Sequence, residues 1–502
     1  MKSNYYINSF FWSTLAKVLN AILGFISIPL LLGLYGKAEY GILSIATACN
    51  GYMHLLDLGM NTGAIKFFSQ WIAEGKMDVI DRVARTNISF YLLIGCINIV
   101  GLITLALWGE NLFSITHLQF LQLRTCLFII ALFSVFSWIT TVFNQLLVSN
   151  KQIAFTMQMQ CLQTVLKMLL IFVVLWFNLS LSIYFFFLTF ILASLLIPYA
   201  YKSYRSNLIS SFFPANYWLD FKIVITFSLS IFALSLFQMT ATQSRPILLS
   251  MFAPNAASVV AEFRIIEVIP MFIIMVGLTF SSIFLPKASE LVTRKVHMEI
   301  ENFAYRWTRL TSILANILCI PFVLSSKDIL AAYVGDEYSS LSVWLSIWCI
   351  TALIQIHTTP GNSLILACGK TKLLVLTSAV ACLISMLINI AFCKYIGVGS
   401  AVIGYFVYVL IVISMNYIAY YRKILCLNNL KIALSFIIPT IIGFIVLCII
   451  YIFPLEKLRV EIFSVRINLI VFCLTKALIW LSVYVGALVA FKQIEIKELC
   501  RK

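Results

Sequence analysis

Charge rarely interrupts this chain, and that limits what it can become. Apolar runs of about 20 residues or more recur from one end to the other, and one helical crossing of a bilayer needs roughly 20 such residues. Fourteen runs can be marked, at 10–35, 40–67, 87–109, 123–148, 155–177, 180–202, 222–253, 257–286, 307–331, 343–367, 373–393, 399–421, 432–453 and 467–491. They are continuous rather than alternating every second residue, which excludes a transmembrane barrel. Only 11% of residues are charged, against about 25% in a soluble domain. The expected fold class is an all-α polytopic membrane protein with about 14 transmembrane helices. The first run is expected to stay as a span, because only Lys2 precedes it and no small-residue cleavage pattern follows.

The net charge of +16 is not a nucleic-acid signal, because Lys and Arg are divided unevenly between the loops. Of the 35, 23 fall on one side of the expected spans and 7 on the other, and five lie inside them. That asymmetry predicts both termini in the cytoplasm, as an even number of spans requires. The outward loops, up to about 13 residues long, leave no room for an external domain. The larger inward loops, 69–86, 203–221 and 287–306, are basic and are expected to rest, solvated, on an anionic leaflet. Thirteen scattered cysteines with no CxxC pair are read as small buried hydrophobes.

An internal repeat is visible. Ile28-Pro29-Leu30-Leu31-Leu32 and Arg245-Pro246-Ile247-Leu248-Leu249 place their prolines 217 positions apart. Asn144-Gln145-Leu146-Leu147 and Asn362-Ser363-Leu364-Ile365 place their asparagines 218 apart. One shared offset predicts two six-helix lobes, residues 1–206 and 207–428, around a central cavity, with 429–502 as two added spans and a tail.

Several runs carry a polar stripe. In Tyr40–Phe68 the residues Asn50, His54, Asp57 and Asn61 are spaced 4, 3 and 4, which places them within about 60° of arc on one helix, beside Thr47. Comparable spacings relate Ser13, Lys17, Asn20, Gly24 and Ser27; Ser235, Gln238, Thr242 and Arg245; and Thr351, Gln355, Thr358 and Asn362. In the fourth run Ser134, Thr141 and Gln145 share a face, with Ser137 and Asn144 beside it. Dry bonding between helices can account for the neutral members. Lys17, Asp57 and Arg245 need water or partners, which predicts a cavity lined by both lobes, with Asp57 as a counter-charge for Lys17 and Arg245. Arg264 and Glu267 are spaced to pair locally, with Glu262 nearby. Lys167 lies near mid-span, and Lys476 is expected to snorkel. His54 and His357 are candidates for protonation, against the alternative of satisfied interior histidines.

The candidate substrate-binding set is therefore Lys17, Asn20, Asn50, Asp57, Asn61, Gln238, Arg245, Arg264 and Gln355, with Asp57, Glu262 and His357 as coupling candidates. The surplus of cations favours an anionic substrate, and arginine suits phosphate oxygens. No nucleotide loop, metal-ligand spacing or nucleophile motif occurs, so neither an enzyme nor a cofactor is expected.

Tyr35-Gly36-Lys37-Ala38-Glu39-Tyr40-Gly41, followed by Leu55-Leu56-Asp57-Leu58-Gly59-Met60, resembles the start of Wzx-type polysaccharide flippases. These belong to the multidrug/oligosaccharidyl-lipid/polysaccharide exporter superfamily. Leu364-Ile365-Leu366-Ala367-Cys368-Gly369-Lys370-Thr371-Lys372 resembles that family's exit from the tenth span. One departure is Gln243-Ser244-Arg245-Pro246, where many relatives carry an Asp. The resemblance implies alternating-access transfer of an undecaprenyl-diphosphate-linked oligosaccharide, of O-antigen, lipopolysaccharide or capsule type, across the bacterial inner membrane. It implies membrane lipids, a polysaccharide polymerase and a chain-length regulator as partners. By similarity to the lipid II flippase, the last two spans would form a groove for the lipid tail. Two other classes compete: a proton- or sodium-coupled small-molecule exporter with Asp57 as the ion site, and a polysaccharide polymerase or acyltransferase. The cationic surplus argues against the first and the short outer loops against the second.

Overall fold

The computed structural model describes residues 2–294, 297–368, 372–453, 465–491 and 493. The expected outward loop at 454–466 falls almost entirely outside these, as do Gly369, Lys370 and Thr371 of the tenth-span motif. Among the described residues all regular structure is helical. Eleven segments are long and apolar enough to cross a membrane. The chain is a multi-pass membrane protein. Each of the fourteen apolar runs lies on one or two helices, but the number fourteen is not matched. The first two runs merge into one segment, and the helices of the seventh and eighth are not among the eleven.

Chain contacts divide the protein into Met1–Ala261 and Glu262–Lys502. The first unit opens with α1 (Lys2–Met53), whose backbone leaves helical geometry at Gly36, φ 75° and ψ 173°. That conformation is essentially restricted to glycine. It separates the first two runs inside one 52-residue element. There follow α2 (Met60–Glu74), α3 (Met77–Trp108), α4 (His117–Ser149), α5 (Ile153–Phe177), α6 (Leu181–Ala193), α7 (Leu196–Arg205) and α8 (Trp218–Phe252). Only Ala253 to Asn255 separate α8 from α9 (Ala256–Arg294), within which the unit boundary falls. Asn255 has φ 52°, a left-handed turn residue.

Small residues let the helices of this unit approach closely, as expected where lipid gives little hydrophobic drive for helix association. Gly59 and Gly63, four apart at the start of α2, lie against α8. A Cβ on Gly59 would come 2.6 Å from the Ser228 carbonyl oxygen, and one on Gly63 would collide with the Ser228 hydroxyl. The core beneath includes Met60, Ala64 and Phe68 of α2, Ile88 and Tyr91 of α3, and Trp138 and Val142 of α4.

The stretch 203–221, expected to face inward, is not merely solvated. Asp81 accepts the Ser210 amide at 2.6 Å and its hydroxyl at 2.9 Å. The Tyr217 amide donates to Thr86, and Arg82 bridges Asp78 and Asp220 at 3.1 and 2.9 Å. The stretch is strapped to the end of α3 because the charges that would face water find partners there.

The second unit continues with α10 (His297–Leu324), α11 (Ser326–Tyr333), α12 (Ser342–Ile356), α13 (Thr359–Ala367), α14 (Lys372–Ile396), α15 (Val398–Met415), a π-helical turn (Asn416–Ile424), α16 (Asn429–Ile452) and α17 (Val465–Ala490). The last two helices are bonded to each other, and α16 and α17 are also bonded to α10 and α11. Trp480 Nε1 donates to the Gly443 carbonyl at 3.2 Å, and the Tyr484 hydroxyl to the Pro439 carbonyl at 3.2 Å. Lys476 does not snorkel: its Nζ meets Asp328 at 2.7 Å and lies 4.1 Å from the Phe472 ring. Asp328, in the first turn of α11, offers a counter-charge within reach, so the lysine need not extend to the surface.

Gly63→Val should lower the thermal unfolding midpoint, at a cost of about 1–3 kcal/mol from forced overpacking. Gly24→Ala should be neutral or slightly stabilising, because nothing lies within 4 Å of its added Cβ. Calorimetry or fluorescence melts of the two purified variants would check this.

Candidate functional site

The Tyr40–Phe68 stretch is not one helix. α1 ends at Met53, His54–Asp57 forms a 3₁₀ turn, and Leu58 and Gly59 follow in the left-handed region with φ 51° and 74°. α2 then starts afresh. The four-residue polar stripe therefore does not continue along a single face, and each member must be placed separately.

Asp57 sits at the break. A new helix begins with amides that lack intrahelical partners, and the Asp57 Oδ2 accepts one of them, from Asn61, at 3.2 Å. Its charge also complements the positive end of α2. The Tyr91 hydroxyl donates to Oδ1 at 2.5 Å. Tyr91 in turn accepts from Gln145 Nε2 at 2.9 Å, and Gln145 Oε1 accepts from Asn87 Nδ2 at 2.7 Å. A continuous chain of hydrogen bonds thus runs from α3 through α4 to the break. Asn87, Tyr91 and Gln145 are buried, while Asp57 is half-buried. The Trp138 ring stacks on Tyr91, with centroids 5.7 Å apart and planes at 21°, and lies 5.3 Å from His54, which is exposed. The expected pairing of Asp57 with Lys17 and Arg245 gives way to hydrogen bonds with Tyr91 and Asn61, because the carboxylate is drawn to the donors at the break.

The other candidates separate. Lys17 and Asn20 are exposed on α1, and Asn20 Oδ1 accepts from Thr164 of α5 at 3.0 Å. Asn50 is half-buried and Asn61 exposed. On α8, Gln238 is exposed, whereas Arg245 is 2% exposed with its Nε donating to the Thr242 carbonyl at 3.2 Å. The Ser235 side chain lies outside the described residues. The expected Arg264–Glu267 pair forms, at 2.5 Å. Glu262, on the same helix, is half-buried.

The tenth run also bends. His357 and Thr358 separate α12 from α13, with Pro360 in the first turn of α13. Gln355 accepts from the Tyr405 hydroxyl at 3.0 Å. Asn362 Nδ2 donates to Thr358 at 3.2 Å, and Asn362 Oδ1 accepts from Asn416, in the π-helical turn, at 2.8 Å. His357 is a satisfied interior histidine. Its Nδ1 meets the Ile354 carbonyl at 2.6 Å, its Nε2 meets Tyr417 at 3.3 Å, and its ring stacks on Phe436 at 3.9 Å.

Two stripe residues of the fourth run bond across a helix interface. Ser134 and Gln145 are buried and bonded to Asn98 and Asn87 of α3. Tyr91 and Asn87 were missed from sequence. They are isolated polar groups in an apolar run, and only their spacing of four hints at a common face.

The fold, with this broken and internally bonded helix, is that of a polytopic all-helical membrane protein. No protein-family model matches the sequence, and no curated protein matches it. Among solved structures the chain is similar to the lipid II flippase MurJ in an inward closed conformation, with TM-score 0.69 and 12% identity over 97% of this chain and 99% of that one. It is similar to an inward-facing multidrug resistance MATE family transporter of the MOP superfamily, with TM-score 0.63 and 13% identity over 78% and 96%. It is also similar to the MATE multidrug transporter DinF-BH, solved in a complex, with TM-score 0.61 and 15% identity over 83% and 95%. The chain has the fold these transporters share.

Tyr91→Phe should lower stability by about 1–3 kcal/mol, because it strips partners from Asp57 and Gln145 together. Adding Gln145→Leu should cost less than the sum of the two single changes. Unfolding midpoints of the four proteins in this cycle would show the coupling, and strict additivity would refute a connected network.

Proposed function

We propose that this protein is a flippase moving a lipid-linked oligosaccharide, carried on undecaprenyl diphosphate, from the inner to the outer leaflet of a bacterial plasma membrane. The observation that carries this reading is the extent of the match to the lipid II flippase. The 3% of this chain left uncovered amounts to roughly 15 residues. That is fewer than the 24 of α16 or the 26 of α17, so neither helix falls wholly outside it. In this reading residues 1–206 and 207–428 are the lobes that alternate, both termini are cytoplasmic, and 429–502 serves the lipid tail. Lys17, Arg245 and Arg264 meet the diphosphate, while Asn20, Asn50, Asn61, Gln238 and Gln355 meet sugar hydroxyls. Asp57 is the stronger coupling candidate, with Glu262 next, because both ring nitrogens of His357 are already engaged. The product would pass to a polysaccharide polymerase and its chain-length regulator to build O-antigen, lipopolysaccharide or capsule.

A second reading has its own support. DinF-BH, a multidrug transporter, has the same fold, and a half-buried carboxylate such as Asp57 suits a proton- or sodium-coupled exporter.

A deletion strain should lose surface polysaccharide and accumulate its lipid-linked precursor, with unchanged drug susceptibility. Lys17→Ala and Arg245→Ala, compared at matched protein levels, should each restore at most about a tenth of the polymer. Normal polymer with heightened drug sensitivity would favour the exporter.

A further inference from the structure

A groove between α2 and α8, within the first unit, is used by nothing described above. It measures about 500 Å³ and is lined by Phe67 of α2 and by Leu219, Lys222, Ile223, Thr226 and Phe227 of α8. Leu219, Ile223 and Phe227 follow one another at four-residue steps, so they form a single apolar ridge. Lys222 and Thr226 form the polar row beside it. Leu219 is 85% exposed and Ile223 55%, so the ridge is open to the surrounding bilayer.

Charge sits at the edge of this ridge. Lys66 of α2 holds its Nζ 3.6 Å from the centroid of the Phe227 ring and 5.1 Å from that of Phe67. Lys222 is exposed at the groove itself. Among the described residues neither lysine has a carboxylate within ion-pair distance. Two ammonium groups without counter-ions beside an exposed apolar ridge suit a molecule with an anionic head and a hydrocarbon chain. A cationic amphipath would be repelled, and a small free anion would leave the ridge uncovered.

We propose that the α2–α8 groove binds one anionic glycerophospholipid of the surrounding bilayer. Its phosphate meets Lys66 and Lys222, and an acyl chain lies along Leu219, Ile223 and Phe227. This site is independent of the transported substrate. Its position gives it a role: α2 starts at the Asp57–Gly59 break and touches Ser228 through Gly59 and Gly63, one residue beyond Phe227. A lipid seated here braces the re-started helix against α8.

The test uses the full-length protein purified in a neutral detergent. It is titrated with phosphatidylglycerol and, separately, with phosphatidylcholine bearing the same acyl chains. Bound lipid is counted by native mass spectrometry and the unfolding midpoint is followed in parallel. Phosphatidylglycerol should bind in preference and raise the midpoint. Lys66→Gln and Lys222→Gln should each weaken it about fivefold, and together roughly thirtyfold. Lys202→Gln, a basic change outside the groove, should leave it unaltered. Ile223→Trp, which fills the groove with both charges intact, should also lower binding. Equal binding of phosphatidylcholine, or wild-type binding by the double lysine variant, would overturn the proposal. Displacement by glycerol phosphate alone would reduce the site to a simple anion site. Displacement by undecaprenyl phosphate at concentrations below those needed for phosphatidylglycerol would assign it to the isoprenoid carrier instead.

Discussion

A helix broken inside a membrane must satisfy its own freed backbone groups, because lipid offers no hydrogen bonds. The first unit is organised around that requirement at Asp57–Gly59. Leu58 and Gly59 in the left-handed region end one helix and permit another. The Asp57 carboxylate accepts an amide of the new helix, and the Tyr91–Gln145–Asn87 chain holds that carboxylate from behind. Once re-aimed, α2 brings Gly59 and Gly63 against Ser228, an approach that no larger side chain allows. The core around Met60, Phe68 and Trp138, and the groove beside Lys66, follow from that direction.

The second unit meets the same requirement differently. Its bend at His357–Thr358 keeps nearly helical geometry and is bonded through Asn362 to Asn416 in a π-helical turn. A π-helical segment leaves the regular bonding ladder and often marks a place where a helix has a second task. Here it places Asn416 and Tyr417 against the bend, and Asn429 Nδ2 caps the Tyr417 carbonyl at 2.8 Å. Two aromatic donors bond the last two helices to each other, and Lys476–Asp328 and Asn316–Thr440 bond them to α11 and α10, so they are part of this unit's packing rather than a loose addition.

Polar residues in membrane helices have two uses, and the distinction matters for every functional reading. Ser134 and Gln145 are bonding groups in a helix interface, as are Asn316 and Thr440, bonded at 3.2 Å. Lys17, Asn61 and Gln238 remain exposed. Helical spacing alone cannot separate these groups, since both uses produce the same three- and four-residue intervals.

The sequence by itself determined the class of molecule. Runs of apolar residues this long, with this little charge, have no soluble alternative, and continuous runs have no barrel alternative. It also determined local pairs such as Arg264–Glu267, because three residues on a helix bring two side chains together wherever that helix lies. Only the tertiary structure decided what each polar face looks at. Periodicity fixes the direction of a side chain about its own axis but not the neighbour in that direction, so Asp57 could be expected beside Lys17 or Arg245 and is found with Tyr91. The break itself was written in Leu58-Gly59, yet a glycine in an apolar run is equally compatible with a straight helix. The contact of α2 with α8 and the bonds at Asp57 are what selected the bent form.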